Sequence, residues 1–69
     1  MSSIKIFTAR ELCLECEREI KQRHRVYKRL IEQSKMKQVD ADRQMAMIQQ
    51  IRDRYDQEAT AEETRWKLL

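Results

Sequence analysis

The chain has 69 residues, no glycine, no proline and 39% charged side chains, with 15 Lys or Arg against 12 Asp or Glu for a formal charge of +3. A domain this short buries only about 60% of its unfolded surface, and without the residues that make tight turns it has few routes to a mixed fold. Two cysteines and one histidine are too few for a secreted disulfide framework, no secretory signal pattern opens the chain, and the longest apolar run, Met45-Ala46-Met47-Ile48, falls far short of a membrane span. The composition points to a cytoplasmic all-α protein with no membrane partner.

Residues 1–7 read as an apolar arm, since Ile4-Lys5-Ile6-Phe7 alternates like a strand but has no sheet to join. Thr8-Ala9-Arg10-Glu11 then has capping-box spacing: the Thr8 hydroxyl accepts from the Glu11 N–H, and the Glu11 carboxylate accepts from the Thr8 N–H. Phe7 and Leu12 flank it as a hydrophobic staple, so a first helix starts at Ala9. Leu12, Cys13, Cys16, Ile20, Tyr27, Leu30 and Ile31 recur at steps of three and four and define its apolar stripe, which Arg23 interrupts.

The pattern thins at Ser34-Lys35-Met36-Lys37, which predicts helix 1 over 9–34, a turn over 35–38 and helix 2 over 39–69 in a single domain. A left-handed residue at Ser34 or Lys35 folds the helices back on each other, with Met36 at the corner. The competing architecture is one long coiled-coil helix, because Tyr27, Ser34, Ala41 and Ile48 keep heptad phase through the weak segment. In the second stripe stand Met45, Ile48, Ile51, Tyr55, Ala59 and Trp66. Thr60-Ala61-Glu62-Glu63 repeats the capping-box spacing, so the end reads as a continuation of helix 2, frayed or not, or as a short third helix. The expected fold is a two-helix antiparallel hairpin that pairs into a dimeric helical bundle, because an isolated hairpin leaves much of both stripes exposed.

Chemistry-bearing groups are sparse. Cys13 and Cys16 form a C-x-x-C pair on the apolar stripe, where a small hydrophobe is needed. A zinc site needs about four ligands, so these two could hold metal only by joining the same pair across a dimer. His24 lies between Arg23 and Arg25 and has no nucleophile to serve, while Asp40, Asp42, Asp53 and Asp56 lack the spacing of a metal cage. No acid-base pair or phosphate cradle is present, so neither an enzyme nor a cofactor is expected.

Charge is uneven along the chain. Residues 1–37 carry ten Lys or Arg against five Glu, and residues 38–69 carry five against seven acidic groups. Arg18, Lys21, Arg25, Lys28 and Arg29 fall away from the stripe as a basic ridge able to track phosphates, or simply a solvated face. Trp66, with Leu68 and Leu69, is the candidate protein-binding feature, since a large aromatic near arginine is a common hot spot; the alternative is that Trp66 packs back on Phe7 and Leu12.

Thr8-Ala9-Arg10-Glu11-Leu12, Glu17-Arg18-Glu19-Ile20, Arg25-Val26-Tyr27, Lys35-Met36, Ala41-Asp42-Arg43-Gln44 and Ile51-Arg52-Asp53-Arg54-Tyr55 together resemble small helical proteins encoded by phages and prophages. Where that pattern often has proline and glycine, this chain has Lys28 and Ser34. The resemblance covers residues 8–55 and implies a phage-linked setting in a bacterial cell, with no defined activity. The function expected is a non-enzymatic protein-protein interaction module, homodimeric, that binds a host or phage protein. Its alternatives are a nucleic-acid-binding accessory protein using the basic ridge, and a coiled-coil oligomerisation element.

Overall fold

A computed structural model of the chain describes residues 6–67. Two helices, α1 (Ala9–Glu32) and α2 (Gln38–Lys67), fold back on each other as an antiparallel hairpin. The alternative of one continuous helix is thereby corrected. Its Tyr27-Ser34-Ala41-Ile48 phase breaks at Ser34, whose φ of 58° lies in the left-handed region.

Helix α1 starts at the capping box. The Thr8 side chain accepts from the Glu11 backbone N–H at 3.1 Å, and Glu11 Oε1 accepts from the Thr8 N–H at 3.1 Å. At the other end the Ser34 N–H donates to the Ile31 carbonyl at 3.0 Å and the Lys35 N–H to the Leu30 carbonyl at 2.8 Å. This pair of bonds is the Schellman motif, and it satisfies carbonyls that the helix end would otherwise orphan. The predicted 9–34 helix and 35–38 turn therefore each shift: α1 ends at Glu32, and residues 33–37 make the connection, because a left-handed residue cannot sit inside a right-handed helix. Met36 is half-buried at the corner, as the hairpin reading expects.

Helix α2 begins one residue earlier than predicted, with the Lys37 carbonyl accepting from the Asp40 and Ala41 N–H groups at 3.1 Å each. It runs through Thr60-Ala61-Glu62-Glu63 without a break, so no third helix starts there. Of the predicted arm, Ile6 and Phe7 are exposed and precede α1, whereas residues 1–5 lie outside the described residues.

The seam between the helices is made of small side chains. Ala9, Cys13, Ala41 and Ala59 are the buried apolar residues, and Cys13 is the largest side chain fully enclosed. Small residues let two helices approach closely, but they hide little surface. Of the predicted stripes, Leu12, Cys16, Ile20, Tyr27, Leu30 and Ile31 on α1 and Met45, Ile48 and Tyr55 on α2 are only half-buried. Ile51, expected in the second stripe, is 46% exposed because it stands at the side of the seam.

Candidate interaction surface

Two long helices side by side make a slab, and its extents of 53 × 34 × 14 Å are barely more than one helix thick. Its Cα radius of gyration is 16.0 Å, where a compact domain of this length has about 11 Å. The accessible surface is 6144 Å², against about 4,700 Å² for a folded monomer of 8.5 kDa. The hairpin thus exposes about 1,500 Å² more than a closed fold of its mass. A domain ordinarily needs two packed layers around a core, and here only one is present.

The two broad faces of the slab differ in chemistry. Across one of them Arg10 binds both carboxylate oxygens of Glu63, at 2.9 and 3.3 Å, and Asp56 at 2.9 Å. Arg52 reaches Glu17 at 2.6 and 3.0 Å and Asp53 at 3.1 Å, and lies 3.9 Å from Asp56. Glu17, Arg52, Asp56, Arg10 and Glu63 therefore form one ionic lattice that ties α1 to α2. Hydrogen bonds from Arg10 hold the Glu63 carboxyl below the usual carboxylate range, and the same bonds raise the Arg10 pKa further. Further along that face a groove mixes the polar His24, Lys28, Glu32, Asp42 and Gln49 with Tyr27, Ile31, Ala41 and Met45.

Met47 stands nine residues from Asp56, about two and a half helical turns, so the two occupy opposite sides of α2. Met47, Ile51 and Tyr55 continue that side at steps of four, and Met47 and Ile51 are each 46% exposed. On α1 the matching edge carries Leu12, Cys16, Val26 and Leu30, with the 2.9 Å Arg23–Glu19 pair between them. The Tyr27 hydroxyl donates to Gln44 Oε1 at 2.8 Å and pins the two helices together at the turn end of this face. The surface is largely apolar, with Glu19 and Arg23 paired within it and Gln50 and Arg54 bordering the cleft beside Met47, Ile51 and Tyr55.

The sequence-predicted sites are distributed unevenly over this slab. Cys13 is sealed in the seam, 3.8 Å from an Arg10 nitrogen, while Cys16 lies half-buried at the margin, where burial and the nearby Cys13 push its thiol up. The pair is split between two environments, one thiol enclosed in the seam and one at its margin. Among the described residues no group of three or more His, Cys, Asp or Glu converges on a metal-sized site.

The basic ridge is real as a stripe. Arg18, Lys21, Arg25, Lys28 and Arg29 are all exposed; Arg18 pairs with Glu15, whose carboxyl it holds low, whereas the other four form no ion pair among the described residues. Trp66 is 77% exposed near the end of α2, so it does not pack back on Phe7 and Leu12; Leu68 and Leu69 lie outside the described residues. No described helix is long and apolar enough to cross a membrane. No family model, curated protein or solved structure matches the chain.

Proposed function

We propose that this chain is a non-catalytic helical module that works by binding other protein chains. The observation that carries the reading is the uncovered apolar face of a one-layer slab, in a chain whose whole surface exceeds that of a closed domain of its mass by about 1,500 Å². Trp66, held out at the end of α2 between Arg65 and Lys67, supplies a second and separate contact point for a partner, in the bacterial or phage setting that the sequence resemblance implies. The test is purification from a bacterial host at low and at moderate salt. One stoichiometric protein that survives moderate salt and is lost with Trp66→Ala is expected.

Lys21, Arg25, Lys28 and Arg29, which form no ion pair among the described residues, favour a second reading, nucleic-acid binding along about 12 Å of α1. Nucleic acid released by moderate salt, with no protein partner, would put this reading first. A clean oligomer with neither would leave the chain as an oligomerisation element.

A further inference from the structure

We infer that the apolar face is covered by a second copy of this chain, so that two hairpins stack face to face into a four-helix bundle. The inference rests on the reading of that face as an interface and names its occupant. Three observations point to self-pairing. The slab is 14 Å thick, one layer short of a packed domain, and an identical slab laid on it supplies the missing layer. Each chain's whole surface exceeds that of a closed fold by about 1,500 Å², an excess of the order that one partner contributes to a homodimer interface. Of the charges bordering the face, Glu19 and Arg23 already neutralise each other within one chain, and the exposed Arg54 beside Met47 and Ile51 lies at its solvent edge.

The surface to be buried is Leu12, Cys16, Leu30, Met47, Ile51 and Tyr55, and in the hairpin alone every one of these is half-buried or exposed. An isologous contact places the same residues on both sides of the interface. The ionic lattice of Arg10, Arg52, Glu17, Asp56 and Glu63 then faces outward on both sides of the bundle, where charged groups belong.

Sedimentation equilibrium of the full chain over a hundredfold concentration range tests this, with Met47→Lys and Ile51→Lys on the apolar face and Gln49→Lys on the opposite side of α2. Twice the 8.5 kDa chain mass is expected for wild type and for Gln49→Lys, with dimer dissociation at least tenfold stronger for each of the other two. Where a face variant fails to fold, the wild-type urea midpoint decides, because coupled folding and pairing makes it rise with chain concentration. A wild-type monomer with a concentration-independent midpoint overturns the second copy as occupant, yet leaves the partner-binding reading to its own purification test. A mass other than twice the chain, or a dimer broken by Gln49→Lys alone, also overturns it.

Discussion

Thr8 and Ser34 bound α1 by different chemistry, and each sets a measurable quantity. Thr8→Ala removes the acceptor for the Glu11 N–H and should lower stability by about 1 kcal/mol, read as a shift in urea midpoint at constant chain concentration. Ser34 holds a left-handed backbone at φ 58° that glycine adopts without a Cβ clash. Ser34→Gly should therefore stabilise by about 0.5 kcal/mol, a gain trimmed by the extra freedom glycine gives the unfolded chain. At Lys37 the carbonyl caps the first turn of α2 but the side chain has no oxygen to cap the free N–H groups. Lys37→Ser should add about 1 kcal/mol, and the Ser34→Gly/Lys37→Ser double variant should show whether the turn residues act independently.

At the scale of the helices, the seam tolerates small side chains and little else. Ala59 is fully enclosed against α1, so Ala59→Leu should cost about 1–3 kcal/mol through overpacking, measured by thermal or urea unfolding. Replacing Cys13 and Cys16 together by alanine should preserve helicity and lower stability by about 1 kcal/mol, with zinc absent from protein purified either way; stoichiometric zinc in the wild type would reverse that. The ion pairs give the hairpin a pH dependence. The carboxyls of Glu63 and Glu15 are held below their ordinary pKa by Arg10 and Arg18, so their contribution is complete above that pKa, at about pH 4, and fades as pH falls through the lower folded-state value. Stability measured from pH 6 downward should decline below about pH 4, and Glu63→Gln should flatten part of the decline.

The start of α1 was legible because Thr8 and Glu11 are three residues apart and form a local motif. The hairpin turn was legible as a loss of apolar rhythm at Ser34–Lys37. The ionic lattice was not. Arg10 meets Asp56 and Glu63 across 46 and 53 residues, and that register depends on a connection length settled only by where α1 stops. Arg23, which interrupts the stripe, made sense only once its bond to Glu19 was visible. Ala41, legible only through the heptad phase of the discarded continuous helix, is one of the four buried seam residues among those described.

For the molecule as a whole, the ridge on α1 and the modest net charge set an upper limit on nucleic-acid affinity. Binding to duplex or single-stranded DNA should be no tighter than the micromolar non-specific range near physiological salt, and Arg25→Glu with Arg29→Glu should lower the log-log salt slope by about two. A sub-micromolar complex abolished by that double variant would move nucleic acid ahead of protein as the partner. Trp66 also gives the molecule a private optical channel. As the sole tryptophan, exposed in the folded hairpin and equally wet in the unfolded chain, it should emit at nearly the same long wavelength in both states and so be blind to denaturation. A blue shift of its emission on mixing can then only mean that the end of α2 has been covered, which makes the native chain its own indicator of docking.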